Sequence, residues 1–239
     1  MENRDHFRFQ DFQIDQTDAP FKIGTDAVLL AAWVEYNGVE SILEPGSGTG
    51  VISAIAMQRF SPKLVQTIEL NPIASALTEQ NIRNLNSAAH HEHFEGNWLD
   101  FTTENKEPFD LILCNPPYFE NATVNPDKGK RVARHAEDLS LKSLLTHSHH
   151  IAHKESMLAV IAPADQVDQY RNLAMENGWF IRRIAKVMNR PGSSIKRAMV
   201  EYVRNHCPAP NYEIITLRNT DNSYAEQYLK IVKGLYLFA

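Results

Sequence analysis

Residues 41–70, SILEPGSGTGVISAIAMQRFSPKLVQTIEL, change pattern twice in thirty positions, and that change decides the fold. SILE reads as a short strand. The run Gly46-Ser47-Gly48-Thr49-Gly50 turns the chain, VISAIAMQRF reads as a helix, and KLVQTIEL as a second strand. A strand, a crossover helix and a second strand of this length form one βαβ unit with parallel pairing. Downstream the alternation continues through helix PIASALTEQNIRNL, strand HEHFEG and FDLILC, a continuous apolar run that marks a strand buried on both faces. Helix LSLKSLLTHSHHIAH, strand SMLAVIAP and helix ADQVDQYRNLAMENG follow. The late strands WFIRRIAKVM, KRAMVEYVRN and YEIITLRN are expected to close the sheet with antiparallel pairing, before a terminal helix SYAEQYLKIVKGLYLF. Upstream, Thr25 and Asp26 are placed to cap a helix over AVLLAAWVEY that Gly38 stops, and HFRFQDFQID reads as a hairpin. The expectation is one α/β domain over residues 1–239, with a hairpin extension at 1–20 and a strand–helix appendage at 206–239.

The composition is that of an ordinary globular chain: 239 residues, 43% hydrophobic and 22% charged. It excludes collagen-like and largely disordered readings, and no stretch approaches the roughly 20 apolar residues of a membrane span. A charged N-terminal stretch without an apolar run, and two distant cysteines outside any CxxC pattern, predict a cytoplasmic protein with reduced thiols. The net charge of −5 means that any nucleic-acid contact must be local. Arg182, Arg183, Lys186, Arg190, Lys196, Arg197 and Arg204, opposed by Glu201, form one basic stretch; Lys128, Lys130, Arg131 and Arg134 with His135 form another.

Three features carry chemistry. The glycine loop sits where ligands bind in open α/β sheets, outside the carboxyl ends of the strands. Its glycines allow close backbone approach, and the following helix N-terminus favours an anionic group, although dinucleotide sites and plain turns look similar. Glu69 ends the second strand, where a carboxylate can accept two ribose hydroxyls in either an NAD or an S-adenosylmethionine site. The deciding feature is Asn115-Pro116-Pro117-Tyr118, directly after the buried run. Two prolines stiffen the turn and remove two donors. Asn115 offers an amide oxygen and Tyr118 an aromatic plate, which together suit a planar amine.

This ordered set resembles the Rossmann-like class I S-adenosylmethionine-dependent methyltransferases that modify amino nitrogens, over roughly residues 20 to 205. The resemblance implies a mostly parallel seven-stranded sheet with helices on both faces and an antiparallel strand near the C-terminus. It places Glu44, Gly46, Gly48 and Gly50 around the methionine part of the cofactor and Glu69 on the ribose. Asn97 and Trp98 fall near the adenine, with Asn97 standing where the family often has an acid. Thr25 and Leu70 complete the implied cofactor set, and S-adenosylhomocysteine is the implied product.

The segment FKIGTDAVLLAAW (21–33), with Arg131-Val132-Ala133-Arg134-His135, is similar to the bacterial valine tRNA adenine-N6-methyltransferases, which act on adenosine 37. That implies tRNA as partner, with Asn115, Pro116, Pro117 and Tyr118 as the catalytic set. Lys128, Lys130, Arg131, Arg134, His135, Lys196 and Arg197 are then assigned to RNA, Arg134 and His135 having the alternative of ordering the catalytic loop. A glutamine-N5 protein methyltransferase is the nearest rival; an NAD-dependent oxidoreductase and a noncatalytic RNA-binding protein are more distant ones. The histidines at 147, 149, 150 and 153 read as a solvated helix face rather than ligands, so no metal is expected. Neither is a membrane, and a monomer is favoured.

Overall fold

A computed structural model describes residues 5–102, 107–117 and 138–238. Its main sheet is built from β3 (Ser41–Pro45), β4 (Leu64–Glu69), β5 (His90–Glu95), β6 (Phe109–Cys114), β7 (Ala152–Pro163), β8 (Phe180–Met188), β9 (Arg197–Val203) and β10 (Asn211–Thr216). The spatial order is β10-β8-β9-β7-β6-β3-β4-β5. Eight strands therefore replace the expected seven. The extra one is YEIITLRN, whose β10 pairs parallel with β8 instead of standing apart. Only β9 runs against its neighbours. Ahead of the sheet, β1 (His6–Arg8) and β2 (Gln13–Asp15) form the expected hairpin.

The apolar runs explain why the sheet is covered on both sides. Along β6, Leu111 and Leu113 join one core while Ile112 and Cys114 join the other, and β7 divides its residues the same way. The first core packs α1 (Thr25–Trp33) and α2 (Val51–Phe60); the second packs α4 (Leu141–His147), α5 (Ala164–Gln169) and α6 (Arg171–Glu176). Helix α3 (Pro72–Arg83) starts at a strong signal: the Asn71 side chain accepts from the Ile73 and Ala74 amides, with Pro72 in the first turn.

Helix α1 departs from expectation at both ends. Gly24 is the cap residue and Thr25 already helical, with no side-chain cap. The helix ends at Trp33, before Gly38, because arginines satisfy its last carbonyls: Arg59 donates to Ala31 O and Val34 O, and Arg183 to Trp33 O. The segment ADQVDQYRNLAMENG breaks into α5 and α6 at Tyr170, and the terminal helix is reduced to α7 (Glu226–Ile231).

Candidate active site

Strands β3 and β6 are hydrogen-bonded neighbours, with Ile42 opposite Leu111 and Leu43 opposite Ile112. The glycine loop and the Asn115 corner therefore leave the sheet side by side. The Cys114 thiol donates to Pro45 O at 3.1 Å, tying the residue before Asn115 to the residue before Gly46. Glu69 ends β4 on the other flank of β3.

Gly46, Gly48 and Gly50 all have positive φ, 70°, 60° and 77°, a backbone that side-chain-bearing residues rarely adopt. At Gly46 a Cβ would also overlap the Leu139 side chain, which would have to move to admit it. A Cβ on Gly48 would meet nothing within 4 Å, so the loop faces open space there.

Glu44 is buried beneath the loop. One carboxyl oxygen accepts from the Ser53 amide at 2.9 Å and from the Ser53 hydroxyl; the other, Oε1, is buried without a partner. Burial pushes this carboxyl up to about 8, the bonds from Ser53 opposing the shift and Glu69 adding to it. A cationic amine is a suitable partner for the unsatisfied oxygen. Glu69 accepts from Gly48 N and Asn71 N, both at 2.8 Å, so it braces the loop and retains a lone pair on each oxygen. Asn115 Oδ1 is likewise buried and unpartnered, at the start of the stiff Pro116-Pro117 turn.

Other assigned residues are placed differently. Trp98 is in the second core, 3% exposed and edge-on to His147, rather than on the surface of the site. Asn97 caps the short turn Trp98–Asp100 and donates to Asp138 Oδ2 at 2.8 Å. Leu70 is half-buried after β4, and Thr25 is exposed at the start of α1. Arg197 is held by Asp26 at 2.6 Å, its side chain 17% exposed, whereas Lys196 beside it is exposed. Arg182, Arg183 and Arg204 also turn inward, toward Glu201, Glu35, Glu213 and Asn177 O, so the basic stretch is not a free cationic face. Tyr118, Lys128, Lys130, Arg131, Arg134 and His135 lie outside the described residues.

The histidines divide: His149 and His150 are exposed on the short turn Ser148–Ile151 after α4, and His147 and His153 are held by the fold. His147 reaches Phe101 O, His149 lies against Arg204, and His153, on β7, pairs with Asp110 at 2.9 Å. Among the described residues no group of three or more His, Cys, Asp and Glu side chains is arranged to hold a metal, and no helix is long and apolar enough to cross a membrane. A cleft of about 820 Å³ lined by Trp33, Arg59, Arg182, Arg183, Glu213 and Lys230 shares no residue with the glycine loop or the Asn115 corner.

Asp138 and Leu139 were not legible as site residues. Each touches the site through a contact distant in sequence, and no local motif announces it.

The model of the methyltransferase small domain family matches residues 20–154. A tRNA1(Val) (adenine(37)-N6)-methyltransferase of Tolumonas auensis is 29% identical, over 97% of this chain and 96% of its own. One from a Flavobacteriaceae bacterium is 31% identical, over 97% of this chain and 98% of its own. Among solved structures, a predicted O-methyltransferase of Agrobacterium tumefaciens shares the fold at a TM-score of 0.67 and 16% identity, covering 88% of this chain and 96% of that one.

Proposed function

The chain belongs to the methyltransferase small domain family, and on that premise we propose that it transfers a methyl group from S-adenosylmethionine to the exocyclic N6 of an adenine in tRNA, adenosine 37 of a valine tRNA. The observation that carries the reading is the Cys114–Pro45 contact. It sets a corner with a buried, unpartnered amide oxygen beside a loop of three left-handed glycines.

The residues fit the cofactor. Glu44 Oε1 is an unsatisfied acceptor suited to the ammonium of its methionine part, the open side of Gly48 admits a close backbone approach, and Glu69 is free to accept ribose hydroxyls. When bound, S-adenosylmethionine supplies an electrophilic methyl on a sulfonium. Thr25, Leu70, Asn97 and Trp98 remain assigned to its surroundings, with Trp98 acting from below as packing.

The chain's own part is to activate and hold the amine. Adenine N6 is a weak nucleophile because its lone pair is delocalised into the ring. Asn115 Oδ1 accepts one N6–H and the Pro116 carbonyl the other, which favours a pyramidal nitrogen. Both oxygens face the nitrogen as positive charge develops there, so they act mainly in the transition state. No strong base is needed beforehand, because N6 becomes acidic only once it is alkylated, and its proton then leaves to solvent. Holding the amine in line is worth roughly 7–11 kcal/mol. Tyr118 supplies the stacking face, and an anticodon-loop adenosine costs only a few kcal/mol to unstack. Lys128, Lys130, Arg131, Arg134, His135 and Lys196 contact phosphates, in a soluble cytoplasmic enzyme.

Transfer of labelled methyl to unmodified total tRNA, followed by nucleoside analysis, tests this. N6-methyladenosine is expected. Label on a release-factor glutamine, with none on tRNA, would overturn the RNA assignment and leave the chemistry.

A further inference from the structure

Beyond β5 the chain leaves the sheet next to the ribose-binding candidate, with Gly96 N donating to Glu69 O at 2.9 Å. Asn97 comes next and is committed twice: Oδ1 accepts from Leu99 N at 3.0 Å, and Nδ2 donates to Asp138 Oδ2 at 2.8 Å. Asp138 arrives from 41 residues along the chain, and its position is fixed. Its carbonyl accepts from Ser143 Oγ at 2.6 Å, Ser140 and Ser143 form a capping box on α4, and its neighbour Leu139 lies against Gly46. Asp138 is therefore anchored at the same sheet edge, between the glycine loop and the end of β5.

The hydrogen-bond inventory of this pair is informative. The bond between them uses one of the two hydrogens on Asn97 Nδ2 and one oxygen of Asp138. What remains is a second N–H donor beside a carboxylate acceptor. Adenine presents the complement on its Watson–Crick edge, N1 as acceptor and N6–H as donor. Hypoxanthine presents the reverse at both positions. We infer that Asp138, held in place by Asn97, is a specificity-determining residue that selects adenine as the base of the nucleoside cofactor. This rests on the cofactor reading above.

Isothermal titration of the full chain with S-adenosylhomocysteine and with S-inosylhomocysteine tests it, without any turnover. The wild type is expected to prefer the adenosyl ligand by about ten- to a hundredfold, the range for a hydrogen bond to a charged group. Asp138→Asn keeps the shape and still accepts from Asn97. It should weaken the adenosyl ligand by about tenfold or more and leave the inosyl ligand within about twofold, so the preference collapses. Asp138→Ala should do the same. Equal losses for both ligands would make Asp138 a residue of local order and overturn the inference, as would unchanged adenosyl affinity. A wild type that binds neither ligand would bring down the cofactor reading itself, a result distinguishable from failure of this inference alone.

Discussion

Glu201 and Glu44 are carboxyls of one sheet, 0% and 1% exposed, yet their surroundings differ completely. Glu201 has both oxygens occupied: Arg182 donates to Oε2 through Nε and a terminal nitrogen, at 3.1 and 2.9 Å, and Glu35 N donates to Oε1 at 2.9 Å. Arg183 stands 3.8 Å away and stacks over the Trp33 ring. Glu44 has Ser53 and an oxygen with no partner. Around Glu201 the chain occupies both carboxyl oxygens with its own donors and so ties the end of α1 to β8 and β9. Around Glu44 and Asn115 it leaves acceptors open at a sheet edge. A carboxylate whose two oxygens are both occupied ties the fold together, whereas the open acceptors of Glu44 and Asn115 lie side by side at the sheet edge where a ligand can meet them.

That contrast can be broken by experiment. Glu201→Ala strands two arginines and should cost about 3–5 kcal/mol of stability in denaturant unfolding, with cofactor affinity little changed in the protein that remains folded. Asn115→Ala should do the opposite, lowering turnover by about 10²–10³-fold at unchanged melting temperature and cofactor affinity. Loss of cofactor binding along with turnover would take Asn115 out of its role.

Glu44→Gln separates the two regions by pH. A carboxyl raised to about 8 in the folded chain keeps its stabilising proton at low pH and loses it as pH rises from the ordinary carboxylate range through 8. Wild-type stability should therefore fall relative to Glu44→Gln between pH 6 and 8, by at most about 1.4 kcal/mol per pH unit. Parallel melting curves across that window would exclude the shift. The smallest effect belongs to the basic stretch. Lys196→Ala should lower the salt dependence of tRNA binding by about one unit of slope. Arg197→Ala, whose partner is Asp26, should act mainly on stability.

The parts of this structure legible in sequence are those set by local pattern. Helix α2 occupies VISAIAMQRF as read, and the glycine loop and Asn115 corner lie on adjacent strands because βαβ order places them there. The pairing of Arg182 and Arg183 with acids of the fold has a cause that no local pattern contains. The register of β8 against β9 shifts between Ile181 and Arg183, and this bulge lets two consecutive arginines reach the same Glu201. The early end of α1 has a similar origin, since its capping groups come from Arg59 and Arg183. Asp138 is hidden likewise, its bond to Asn97 being a product of the folded chain alone.

The thiol at the β3–β6 seam gives the molecule a built-in clock. Cys114 is fully buried and burial raises its thiol well above the usual range, whereas Cys207 is partly exposed. A thiol reagent will therefore modify Cys207 in the native protein and reach Cys114 only in the moments when the two strands separate. The slow phase of labelling reads the free energy of that parting directly, and its slowing by a bound nucleoside would report how firmly the ligand clasps the two loops together.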